Sequence, residues 1–168
     1  MTGQIARYLP QFVYGATDGI VTTFAIVAGA AGANLSPIAI LAIGIASVLA
    51  DGYSMGISSY LSKQSEEDHS ITTYNHKSPM SIGIATFLSF VIMGMIPIIP
   101  FMIPNKIISF QNEKVISLIL ALLAFFSVGF VKGTVRKDIH PVQSGFQTFI
   151  IGLSAAIVAY LTGYYVGG

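Results

Sequence analysis

The chain has 168 residues, 54% hydrophobic and 9% charged, with a formal net charge of +1. Soluble domains carry about 25% charged residues, so this deficit, with a mean hydropathy of +0.76, places the chain among membrane proteins. No basic field invites nucleic acid, and the absence of cysteine excludes disulfides, thiolate catalysis and cysteine-based metal sites.

Five apolar stretches read as transmembrane helices, at about 11–33, 37–61, 79–103, 114–132 and 142–167. Each is close to the 17–25 residues that cross a bilayer core. The first follows Arg7, holds Asp18 and ends in AGAAGA (28–33). Those features also describe a cleaved signal peptide, but the apolar run is longer than an h-region and carries a carboxylate. The second opens on Ser36-Pro37, a helix-start pair of N-cap and N1 residues, and holds Asp51. The link 62–78 (SKQSEEDHSITTYNHKS) is the longest connection. The third span opens on Ser78-Pro79, and Pro97, Pro100 and Pro104 should kink or unwind its far end. Its Met93, Met95 and Met102 read as packing. The fifth begins at Pro141, with His140 before it in the headgroup region. With connections this short, residues 1–168 read as a single five-helix transmembrane domain in an all-α fold.

Basic residues set the orientation. Five spans put Arg7, Lys63, Lys77, Lys132, Arg136 and Lys137 on one side and Lys106 and Lys114 on the other. The richer side is cytoplasmic, so the N-terminus and the 62–78 link lie there.

Of the charged residues, only Asp18 and Asp51 fall well inside apolar spans. An aspartate at the bilayer centre costs roughly 2.5–3.5 kcal/mol on insertion scales, so such residues face a bundle interior and mark pathways. Asp18 stands eight residues beyond Pro10, and Asp51 ten before Leu61. At about 1.5 Å per residue, both lie ~12–15 Å from the cytoplasmic ends of oppositely directed helices. One level can therefore hold both. Each is followed by glycine, in ATDGIVTTF (16–24) and LADGYSMGI (49–57). That glycine either lets a helix approach closely or loosens the backbone to free a carbonyl ligand.

Spacing adds further groups. Ser47, Asp51, Ser54, Met55 and Ser58 recur at three- and four-residue intervals on the second helix, and Tyr14, Asp18 and Thr22 on the first. Opposed, these faces give carboxylate and hydroxyl oxygens and one thioether. Magnesium and calcium take oxygen ligands, whereas sulfur favours a softer transition metal. The plainer alternative has the hydroxyls back-bonding to their own helices and Met55 filling a gap.

YGATDGIVTTFAIVAGAAGANLS (14–36), ILAIGIASVLADGYSMGISSYLS (40–62), GMIPIIPFMI (94–103) and GLSAAIVAYLTGYYVG (152–167) together resemble the vacuolar iron transporter family, including its yeast-type calcium-cross-complementing and nodulin-like members. The resemblance covers nearly the whole chain, and DGIVTTFAIVAG and ADGYSM are its most specific marks. It implies a parallel homodimer of five-helix subunits that moves ferrous iron out of the cytoplasm in exchange for protons. It places Asp18 and Met55 on the metal path between subunits, with Asp51 as the aspartate of the ADG motif. No cofactor is implied; the ion is cargo. Gly15, Gly19 and the small residues 29–33 permit close helix approach, and the resemblance makes the neighbour the partner's first helix.

One departure bears on the cargo. Plant- and yeast-type members carry a long cytoplasmic helical domain, rich in Glu and Met, after the second span; here 17 residues separate the spans. Glu66, Glu67, Asp68, His69 and His76 could draw cations weakly, although charge runs ordinarily serve solvation. Manganese therefore competes with iron as cargo.

Partners follow as the lipid bilayer, a second copy, divalent metal and protons. The membrane would be the plasma membrane in a prokaryote, and a vacuolar or other organelle membrane in a eukaryote. Two rival functions use the same residues: a proton or cation channel in which Asp18 and Asp51 act without metal coupling, and a scaffold whose aspartates lock helix pairs. A thioether at Met55 has no use in a proton path. No nucleophile–base set, phosphate-binding loop or HExxH-like pair suggests an enzyme.

Overall fold

The computed structural model describes residues 2–69, 78–103, 107, 109–135 and 140–167. Helices α1 (Thr2–Gly32), α2 (Pro37–His69), α3 (Pro79–Met95), α4 (Phe110–Val135) and α5 (Pro141–Gly167) follow in order, with a short 3-10 helix, Ile99–Met102, after α3. The segments Tyr8–Gly32, Pro37–Glu66, Gln111–Val135 and Pro141–Gly167 are each long and apolar enough to cross a membrane, and α3 is a shorter apolar helix. The protein is an all-α integral membrane protein.

Local chemistry explains most of the boundaries. Prolines open α2, α3 and α5, where a missing N–H costs nothing. Ser36 Oγ accepts a hydrogen bond from Ala39 N–H at 3.4 Å, whereas Ser78 makes no side-chain cap. Asn34 ends α1 in the left-handed region (φ 54°). Leu35 N–H reaches the Ala30 carbonyl and Asn34 N–H that of Ala31, the 6→1 and 5→2 pattern of a Schellman turn. That turn reverses the chain into α2.

Several extents differ from the sequence expectation, and α1 begins at Thr2 instead of near residue 11. The third span, read as 79–103, is helical only to Met95, because Pro97 and Pro100 cannot donate and force turns and a 3-10 segment. The 62–78 link begins as helix, since α2 runs on to His69. Hydropathy marks where a bilayer stops, not where a helix does.

α1 is central, packing on α3, α5, α4 and α2. Ala16, Ile20 and Phe24 meet Ala121, Ala124, Phe125 and Val128 of α4 and Ala156 of α5, with Phe24 edge-on to Phe125 at 6.3 Å. Although α1 and α2 are joined by a tight turn, each packs more extensively on α3 than on the other. α3 thus packs against both helices that carry the buried-span aspartates. Ile38, Ile92, Ile150 and Val158 are among many exposed large apolar side chains. Lipid suits that surface.

Candidate functional site

Gly19 and Gly52 decide where the two aspartates stand. Phe90 of α3 is fully buried, and both glycines press on it. A methyl added at Gly19 would collide with the Phe90 backbone; one at Gly52 would lie 3.2 Å from the Phe90 ring and 3.1 Å from Val91 Cγ2. Both helices run unbroken through these glycines. Close approach, rather than a freed carbonyl, is therefore their local role. Asp18 and Asp51, each one residue earlier, are thereby brought to the level of Phe90.

The side chains differ in setting. Asp51 is half-buried and accepts a 2.6 Å hydrogen bond from Ser47 Oγ, one turn back on α2. Ser47 thus serves the carboxylate instead of its own backbone, unlike Thr23, whose Oγ1 donates to the Gly19 carbonyl at 2.8 Å. Met55 is half-buried one turn beyond Asp51, while Ser54 and Ser58 are exposed on the same flank. On α1, Asp18 and Tyr14 are exposed and Thr22 is half-buried. A polar stripe at mid-span thus opens outward from the single chain. Among the described residues no three His, Asp or Glu side chains converge as a metal cage.

The remaining expected residues separate from this stripe. Glu66 is exposed and pairs with Lys63 at 3.0 Å on the helical extension of α2. The side chains of Glu67, Asp68 and His69, and residues His76 and Pro104, lie outside the described residues. Met93 packs against the core, whereas Met102 is exposed. The glycines expected at a subunit contact are engaged within the chain. Gly15 and Gly19 face α3, and Gly29 and Gly32 face Ala159, Tyr160 and Gly163 of α5.

Among the described residues, three buried, unpartnered polar groups escaped the sequence reading: Gln11, Glu113 and Ser144 of α5. Gln11, seven residues before Asp18 and on the same face of α1, has a buried and unpartnered Oε1. Glu113 of α4 is fully buried, and neither of its carboxylate oxygens has a partner. Helical spacing signalled the first. The second lay at a span end, where an acid is unremarkable until packing covers it.

The family model described as the VIT family matches residues 9–77 and 69–164. The chain belongs to the VIT family. Both DG motifs lie in the first matched segment, and the two segments meet in the connection between α2 and α3. Among curated relatives, this VIT chain is similar to Vacuolar iron transporter 1 of Arabidopsis thaliana, with 26% identity over 94% of this chain and 84% of that protein. It is likewise similar to Vacuolar iron transporter 1 of Tulipa gesneriana, at 27% identity over 88% and 83%. A shorter likeness, 46% identical over 40% of this chain and 22% of the other, joins it to the Vacuolar iron transporter of Toxoplasma gondii. The Arabidopsis match extends over 219 positions, more than the 168 residues of this chain, so that relative carries extra residues within the matched region.

Proposed function

We propose that this VIT protein is a secondary transporter that moves a divalent transition metal, ferrous iron or manganese, out of the cytoplasm in exchange for protons. The observation that carries the proposal is the placement of Asp18 and Asp51 at the level of Phe90, on a polar stripe open at mid-membrane. A dication offsets two carboxylates there; lipid cannot. Asp18, Asp51 and Met55 are assigned as metal ligands. Tyr14, Thr22, Ser47, Ser54 and Ser58 line the path. Glu66, Glu67, Asp68 and His69 attract cations weakly at the cytoplasmic entrance.

The whole chain acts as one transmembrane domain, with its N-terminus cytoplasmic. Exposure of Asp18 and Tyr14 at mid-span favours a parallel homodimer, in which the stripe of one copy covers that of the other. Two copies would then supply two Asp18 carboxylates and two Met55 thioethers for one ion. With Gly15, Gly19, Gly29 and Gly32 used inside the subunit, the dimer rests on this polar stripe and not on a small-residue seam. Metal and proton compete for the same carboxylates, which is the physical basis of exchange. The names of the Arabidopsis and Tulipa relatives favour iron as cargo.

Reconstitution into liposomes with metal-sensitive and pH-sensitive dyes tests the assignment. Ferrous iron entry accompanied by proton exit from the vesicle is expected. Proton movement without metal movement would overturn it in favour of a channel.

A further inference from the structure

The sequence has seven acidic residues. With the orientation set by the basic residues, Glu66, Glu67, Asp68 and Asp138 are cytoplasmic, and Asp18 and Asp51 stand within the bilayer. Glu113 is the one acid at the opposite end. It occupies the first turn of α4 with no exposed surface, and no hydrogen bond reaches either oxygen. A carboxylate held away from water and hydrogen-bond donors is strongly disfavoured as an anion. Adding a proton removes that penalty.

Among the described residues, the neighbours supply no substitute for the proton. α4 packs on α1, on α5 and on the 3-10 helix. The outer half of α1 and the 3-10 helix have no ionisable side chain. α5 offers only Tyr160, Tyr164 and Tyr165, all exposed, and none hydrogen-bonds Glu113. Lys114 adjoins Glu113 on α4 but makes no hydrogen bond to it. Lys106, in the preceding connection, lies outside the described residues.

Glu113 also has a mechanical link to the aspartates. One turn along α4, Ser117 is fully buried and donates a 2.6 Å hydrogen bond to the Pro97 carbonyl. That carbonyl needs an outside donor because Pro100, three residues on, has no N–H. The start of α4 therefore grips the broken end of α3. Five residues before that break, α3 presents Phe90, on which Gly19 and Gly52 both rest. A rearrangement where α4 meets the break reaches both DG motifs through one helix.

We propose that Glu113 is a proton-binding site through which the acidity of the non-cytoplasmic compartment regulates transport. A proton from that side adds to a carboxylate oxygen, forming the O–H bond of a neutral acid and keeping the α4–Pro97 contact dry. Its departure restores the anion, which takes up water and loosens the grip on α3. The proposal deepens the exchange reading above and rests on it.

Two measurements on the reconstituted full-length protein test it. Infrared difference spectra across a pH step, without metal, should contain a carboxylic-acid band that E113Q lacks and D18N retains. If E113Q does not fold, E113D replaces it: a band belonging to residue 113 shifts. Ferrous iron flux in the wild type should rise with outer acidity, by at most about tenfold per pH unit, the limit for one titrating site. In E113Q, which mimics the protonated acid, that dependence should vanish while flux persists. A band unchanged in both variants, or full acid dependence in E113Q, overturns the proposal. If wild-type flux ignores outer acid, the exchange reading fails, and the infrared arm still decides whether Glu113 binds a proton.

Discussion

The hydrogen bond from Ser47 orients the carboxylate of Asp51, the second proposed ligand, and its loss can be graded. Asp51→Asn removes the charge and should cut ferrous iron flux strongly. Ser47→Ala keeps the charge but frees the carboxylate, losing a charge-assisted bond of about 1.5–3 kcal/mol, so flux should fall less than in Asp51→Asn. Initial rates of the two variants in liposomes check the order; the reverse order would mean that Ser47 itself carries the ion. Met55→Leu conserves volume and should change stability by under about 1.5 kcal/mol. Ferrous iron transport should drop more than manganese transport, because the thioether favours the softer ion. Equal losses would make Met55 a packing residue. Asp18 and Asp51 were legible in the sequence because an acid inside an apolar run is costly wherever the helix points. Glu113 was not, because an acid at a span end becomes notable only once tertiary packing buries it.

At the level of helices, the two DG glycines should respond unequally to substitution. At Gly19 an added methyl meets the Phe90 backbone, which cannot yield without moving α3. At Gly52 it meets the Phe90 ring and a Val91 methyl, which can shift. Gly19→Ala should therefore lose about 1–3 kcal/mol, the usual cost of overpacking, and Gly52→Ala less. Thermal unfolding in one detergent compares them, and a larger loss at Gly52 would contradict the packing. The sequence allowed either close approach or a freed carbonyl; only α3's position against both glycines decides. Proline chemistry did announce the break after Met95. The continuation of α2 to His69 was hidden, since Lys63 and Glu66 mark the end of the apolar span yet form an i,i+3 pair that suits a helix.

For the whole molecule, composition alone identified a helical membrane protein, because few charges and five apolar runs leave little else. The pairing of helices was not legible: a tight turn joins α1 and α2, but each packs more extensively on α3 than on the other. Assembly can be tested without background, since the chain has no cysteine. Tyr14→Cys, at a site 63% exposed beside Asp18, should cross-link two copies on mild oxidation. Ile157→Cys, at a site 52% exposed on α5, should remain single. The opposite pattern would place the subunit contact elsewhere. The most direct test is metal entry through the Asp18 stripe itself. Ferrous iron uptake into liposomes should be measured side by side for the wild type and Asp18→Asn, which keeps the side-chain shape and removes the charge. Uptake at the level of empty vesicles is expected for Asp18→Asn, with folding and vesicle incorporation unchanged; wild-type uptake by that variant would contradict a path through Asp18.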